Sequence, residues 1–360
     1  MIKFAKRCIK RIIGKAYSIY IKKQQMNMIV NTHHDVSEIG ENVFDARKYG
    51  FSLSESSILR LNKENIGEYI STWEAYQPRM RNDSHFVMSD DKYVFSMTFG
   101  KYIEVPRNYG LIQNGTIIPL DEEINIDNLY EFLLSKNGGV IKDRCGYNGY
   151  GVYVLKVVGG KLTYKDKEVT EDEIKKFVSE FKTGIIQSNV IQGSFENEIF
   201  DKSINTVRVI SMKRKDADYH EVVAALQRIG TERSAPVDNF AQGGGSAPID
   251  IETGMLGSMT CFNSFDDAGK RIFYDVHPDS GAQIQGRVVP HWNDIKQKIA
   301  DITRKLPFFE YIAWDIVIKN DGIALIETNM KSSLDLFQVH GGMRNSYLGQ
   351  KYREHGYIKE

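Results

Sequence analysis

The chain has 360 residues, 41% hydrophobic and 26% charged, the mixture of a soluble globular protein with room for two or three domains. That excludes a disordered chain, a collagen-like repeat and a disulfide scaffold. Its 47 basic residues balance 47 acidic ones, so bulk charge makes no case for a nucleic-acid partner.

The balance hides an asymmetry. Lys3, Lys6, Arg7, Lys10, Arg11, Lys15, Lys22 and Lys23 fall in the first 25 residues, which hold no acidic side chain, leaving 39 basic against 47 acidic residues elsewhere. Ile2, Ala5, Ile9, Ile12, Ala16 and Ile19 recur between them at helical spacing, so residues 1–23 read as a basic amphipathic helix. Two readings stand. The helix adsorbs to an anionic membrane face, each cation contributing about 1 kcal/mol, or it packs on the next domain with its charges solvated. No apolar run approaches the roughly 18 residues of a spanning helix, and the N-terminal segment, lacking an uninterrupted apolar stretch with a small-residue cleavage site, does not read as a secretory signal. Cys8, Cys145 and Cys261 are far apart and odd in number, which predicts reduced thiols in a cytoplasmic protein, peripheral at the inner membrane face under the first reading.

Residues 35–85 read as polar and helical, without recognisable chemistry. From Tyr93 on, short β-like runs (Ile117–Leu120, Gly139–Lys142, Val152–Val158, Gly184–Ile191, Thr206–Met212 and Val222–Ile229) alternate with helical stretches at Ile126–Lys136 and Glu171–Lys182. A helix over Trp292–Leu306 precedes strands at Tyr311–Lys319 and Ile323–Thr328. Many connections are too short for crossover helices, so the chain reads as α+β with mostly antiparallel strands.

Two segments carry chemistry. In Trp314–Asn329 two apolar strands flank an Asn-Asp-Gly turn, a strong hairpin signal. Asp315 near the start of one strand, with Glu327 and Asn329 near the end of the other, would converge, because residues two apart share a face. Three hard oxygen donors suit Mg²⁺, although a hairpin with acidic ends in solvent fits the same letters. In Gly138–Val152 a short strand ends on Lys142, and a glycine-rich turn (Gly146, Gly149, Gly151) leads into another strand. Glycines let backbone N–H groups approach phosphate oxygens and the lysine neutralises them; a plain hairpin turn is the competing reading. Arg208 and Arg228 sit on predicted strands, where a planar donor fork fits phosphate or carboxylate oxygens, or an outward carboxylate partner.

Taken in this order, the two segments resemble the ATP-grasp superfamily, in which two α+β subdomains clamp ATP. Ser203–Arg208, Leu226–Gly230, Val237–Phe240, Gly243-Gly244, His277–Gly281 and Val289–Trp292 resemble its sugar-transfer associated branch, over roughly Asp90–Gln338. The resemblance implies an ATP-grasp fold behind a helical N-terminal region, with boundaries at 1–25, 26–89, 90–185, 186–345 and 346–360. It implies ATP and Mg²⁺ as cofactors, with two ions in the family pattern and Mn²⁺ as a substitute. Asp315, Glu327 and Asn329 would hold the metal, and Lys92 and Lys142 the phosphates, under a loop made mobile by Gly146, Gly149 and Gly151. Gln187, Asn189 and Val190 in the hinge would face adenine, where many relatives carry a glutamate. Asn205 would reach the ribose or phosphates. Asn239, Gly243 and Gly244 would form an acceptor loop with free N–H groups. Lys142, Arg208 and Arg228 would stabilise the transferring phosphoryl group. The implied reaction joins a small-molecule carboxylate to an amine through an acylphosphate, for cell-surface polysaccharide synthesis. A sugar kinase on the same fold, and a silent nucleotide-binding scaffold, are the alternatives.

Overall fold

The computed structural model describes residues 20, 22–31, 43–120, 123–146, 151–330 and 332–358. The amphipathic helix expected over 1–23 lies almost wholly outside them, as does Gly149. The chain divides into two compact units, one running up to Pro78 and taking in Ser333–Glu360, the other Arg79–Ser332. The 346–360 segment, expected as a separate tail, carries the helix Tyr347–Glu354, whose Leu348 and Tyr352 are buried.

The larger unit holds two antiparallel sheets, each with its own core. The first comprises β1 (Asn108–Gln113), β2 (Thr116–Pro119), β3 (Gly138–Asp143), β4 (Val152–Val158), β5 (Lys161–Tyr164), β6 (Lys167–Glu168) and β7 (Thr183–Gln187), ordered β2-β1-β7-β3-β4-β5-β6. The helix Glu171–Ser179 covers it. Thr170 and Glu173 close its start as a capping box, and Ile174 and Val178, four apart, are its buried stripe. With Leu129, Leu133, Ile141, Leu155 and Ile186 they make one core.

The second sheet comprises β8 (Thr206–Lys213), β9 (His220–Ile229), β10 (Gly245–Pro248), β11 (Thr260–Cys261), β12 (Tyr311–Lys319) and β13 (Gly322–Asn329), ordered β11-β10-β9-β8-β12-β13. β12 is buried at every position but its last, as an interior strand requires. Ile295, Ile299 and Ile302 of the helix Trp292–Lys305 pack with Val207, Val209, Trp314 and Ile316 on one face. The Asn320-Asp321 turn closes β12 onto β13, Lys319 pairing with Gly322. β7 ends at Gln187, four residues short of the expected run. Beyond it Ser188 N–H donates to Arg107 O, and Gly193 N–H reaches Ile318 O on the second sheet (2.7 Å).

Candidate active site

On the face of the second sheet away from the helix Trp292–Lys305, polar residues form a row across four strands. Arg228 on β9 stands opposite Thr206 on β8. Arg208, two residues on, stands opposite Asp315 on β12, and Asp315 opposite Glu327 on β13. Asn329 shares the face of Glu327 by the two-residue period. The expected metal triplet is therefore brought to one place, at the edge of a row that also holds both arginines.

Arg208 grips Asp315 with two parallel bonds, Nε to Oδ1 (2.6 Å) and Nη2 to Oδ2 (2.5 Å). Arg228 adds Nη1 to Oδ2 (3.1 Å), and its Nη2 forms an ion pair with Asp238 Oδ1 (2.8 Å). Asp238 Oδ2 accepts from Thr206 Oγ (2.5 Å). Burial would push the Asp315 carboxyl up, but the Arg208 and Arg228 guanidiniums outweigh it and hold the group below its ordinary range. At Asp238 burial wins over Arg228 and Thr206, and the carboxyl is raised. Burial works against the Arg208 cation, yet Asp315 holds its proton more firmly than usual.

A carboxylate offers about four acceptor positions. Among the described residues three on Asp315 are used, which leaves one on Oδ1. No three His, Cys, Asp or Glu side chains among the described residues converge on one point; the triplet is two carboxylates and an amide. That donor set fits an oxygen-loving cation completed by water or phosphate, as Mg²⁺ prefers.

Two lysines lie outside the row, Lys142 on β3 of the first sheet and Lys92 on the helix Lys92–Phe99, whose Phe95 and Phe99 pack in the second sheet's core. Lys142, at the end of β3, is pushed down to about 8, first by burial and then by Lys92, against the pull of Glu327. Lys142 thus feels both the Lys92 and the Glu327 charge. Lys92 is buried at the first turn of Lys92–Phe99, whose N-cap Asp91 accepts from Tyr93 and Val94 N–H. Its Nζ donates to Gly146 O (2.8 Å) and its N–H to Arg144 O (3.0 Å), so the lysine ties down the start of the glycine loop. Gly151 at the far end has φ +64°.

The hinge positions differ in accessibility. Gln187 is buried, with Nε2 donating to Asn108 Oδ1 (2.7 Å). Asn189 Nδ2 donates to Leu155 O (2.8 Å). The side-chain oxygens of both are buried acceptors without a donor among the described residues, a fit for a ligand amino group. Val190 is half-buried in the connection after β7.

Two expectations need correcting. Asn205 does not face a ligand: it is sealed, donating to Phe200 O (2.8 Å) and accepting from Ser203 Oγ and Gly230 N–H (both 2.9 Å). It is a structural knot behind β8. The acceptor loop has no free N–H groups at Gly243 and Gly244, because these donate to Phe240 O and Asn239 O (both 3.0 Å). Asn239 Oδ1 caps the same turn through Ala241 N–H (3.0 Å). Gly243 has φ +104°, and a Cβ on Gly244 would lie 2.7 Å from Asp238 O, so these glycines let the loop fold on itself.

Asp238 and Thr206 were not singled out by sequence reasoning. A loop carboxylate paired across the sheet leaves no periodic mark, and the only signal was its place in Val237–Phe240.

A family model described as sugar-transfer associated ATP-grasp matches residues 71–347. The chain belongs to that family. No curated protein sequence matches it. Solved structures similar to this sugar-transfer associated ATP-grasp chain include an ADP complex of N5-carboxyaminoimidazole ribonucleotide synthetase (14% identity, TM-score 0.42, covering 74% of this chain and 51% of that one). Others are the Bacillus anthracis D-alanine–D-alanine ligase with ATP (14%, 0.33, 75% and 62%) and a D-cycloserine synthetase (12%, 0.38, 74% and 70%). The chain spans about half to five-eighths of the length of the first two.

Proposed function

We propose that the protein is an ATP-dependent carboxylate–amine ligase that works through an acylphosphate. The observation that carries this reading is the polar row itself. Arg228, Arg208, Asp315 and Glu327 lie across four neighbouring strands, with Lys142 and Lys92 in electrostatic reach and a buried Arg228 Nε–H that has no acceptor among the described residues. That donor suits an oxygen of a phosphoryl or acyl group.

In this reading Asp315, Glu327 and Asn329 hold Mg²⁺, which when bound offsets triphosphate charge and polarises the γ-phosphoryl group. Lys142 and Lys92 neutralise the phosphates, and Gly146, Gly149 and Gly151 let the loop lie over them. Gln187 and Asn189 offer their oxygens to the adenine amino group beside Val190. A substrate carboxylate oxygen attacks the γ-phosphorus and ADP leaves. Arg208 and Arg228 stabilise the charge that develops on the phosphoryl oxygens. An amine then attacks the acyl carbon, phosphate departs with the bonding pair, and the amine proton passes to solvent. The protein acts by positioning and field, with no side-chain nucleophile. The family match favours a sugar-linked carboxylate or amine for cell-surface polysaccharide, with the basic residues 1–23 suited to a membrane-face substrate.

Incubation with MgATP, candidate carboxylates and hydroxylamine tests this. Hydroxamate with matching phosphate release is the expected result. Nucleotide binding without hydroxamate from any carboxylate overturns acyl activation, and a stable phosphorylated sugar in place of free phosphate identifies a kinase.

A further inference from the structure

Asp238 belongs to no part of the chemistry proposed above, yet it is a buried carboxylate wired to it. It comes from the segment between β9 and β10 and closes over a directly opposed cross-strand pair, Thr206 and Arg228. The segment is anchored on both sides, by Thr231 Oγ donating to Gly243 O (2.9 Å) and by Glu232 N–H donating to Asp279 Oδ2 (2.9 Å). Asp238 is thus held still, and through it Arg228.

We propose that Asp238 is a positioning residue that keeps Arg228 from claiming the last open acceptor position of Asp315, and so keeps Asp315 available to the metal; this rests on the ligase reading of the site. Arg208 and Arg228 are two cations against Asp315 and Asp238, a neutral quartet. Without Asp238, both guanidiniums would bear on one carboxylate. Arg228 Nη2 would lose its anionic partner, and the carboxylate left to it is Asp315, whose Oδ1 has one position to give. A carboxylate saturated by two guanidiniums is a poor ligand for a divalent ion. Asp238 draws off one arm of the Arg228 fork and fixes the direction of its unpaired Nε–H.

The test is Mn²⁺ binding to the full chain in the presence of ADP, followed by the paramagnetic signal of free Mn²⁺, with no turnover required. Asp238→Asn keeps the shape and the Thr206 contact but removes the charge. It is expected to weaken Mn²⁺ binding by about 10–100-fold, the range found for partners of metal ligands. The same substitution made on top of Arg228→Met is expected to cause no further weakening, because Asp238 acts through Arg228. Equal binding by wild type and Asp238→Asn overturns the proposal, as does a loss that persists in the Arg228→Met background. Should Asp238→Asn fail to fold, Arg228→Met alone decides: Mn²⁺ binding at least as tight as wild type supports the account, and weaker binding overturns it. A wild-type protein that takes up no Mn²⁺ with ADP removes the functional reading and the inference with it.

Discussion

Lys142 and Glu196 show burial acting on opposite charges. Lys142 loses its proton at about 8 because burial and Lys92 disfavour the ammonium. If the ammonium meets phosphate, nucleotide affinity of the free protein falls as pH rises through that value. The fall approaches tenfold per pH unit, the slope of one titrating group. Calorimetric titration with ADP from neutral to alkaline pH measures it, and Lys142→Met should be weak and flat across the same range. Glu196 is fully buried on the second sheet's other face, where Gln227 Nε2 donates to its Oε2 (3.1 Å) while its Oε1 finds no donor among the described residues. Burial holds its carboxyl well above the usual range, with Asp238 adding to the rise and Gln227 opposing it. The unfolded chain ionises this group near pH 4.3, so folding binds a proton above that point. Its contribution to stability is full at lower pH and is lost as pH rises toward the folded value. Glu196→Gln should raise stability at pH 7 by about 1–2 kcal/mol. It should also flatten the alkaline side of a plot of Tm against pH.

Elements explain why the two sheets hold their functional edges in register. Gly138, the first residue of β3, has φ +102°, and a Cβ there would sit 2.2 Å from Leu155 O and 2.6 Å from Asn189 Nδ2. Gly138→Ala therefore drives β3 from β4 and displaces the hinge asparagine from its carbonyl. The expected cost is about 1–3 kcal/mol by chemical denaturation, with weaker nucleotide binding as a companion effect. The β12–β13 hairpin was legible in the sequence because its turn, its two apolar runs and its acidic ends are all local. So was the lysine closing β3. The Arg228–Asp238 bond was not, since the two come from a strand and a loop and no spacing rule links them. Asn205 was misread because a strand-edge amide looks alike whether it meets a ligand or, as here, Ser203, Phe200 and Gly230. The glycines at 243 and 244 were read as an acceptor loop with free N–H groups, while their turn consumes those groups itself.

At the scale of the whole molecule, the smaller unit is discontinuous: its two chain segments meet only after the 79–332 unit has been traversed. The residues after 332 supply what the 43–78 segment lacks. Gln338 mimics a strand partner, accepting from Ile70 N–H (2.8 Å) and donating to Ile70 O (2.9 Å). Arg344 takes both oxygens of Glu74 (2.9 and 3.0 Å), and its N–H donates to Glu68 O (2.9 Å). A charge-assisted fork of this kind contributes about 1–3 kcal/mol when partly buried, so Arg344→Ala should loosen this unit by that amount. Deleting 333–360 goes further, stripping Ile70 of its backbone partners and removing Leu348 and Tyr352 from the core. Hydrogen exchange on the truncated chain should show lost protection across 51–75, while amides of β3, β7, β8 and β12 stay protected because their ladders lie wholly within 79–332. Protection that falls equally in both regions would mean the two units fold as one cooperative body, and unchanged protection at 51–75 would mean the C-terminal segment is not what holds the helical unit together.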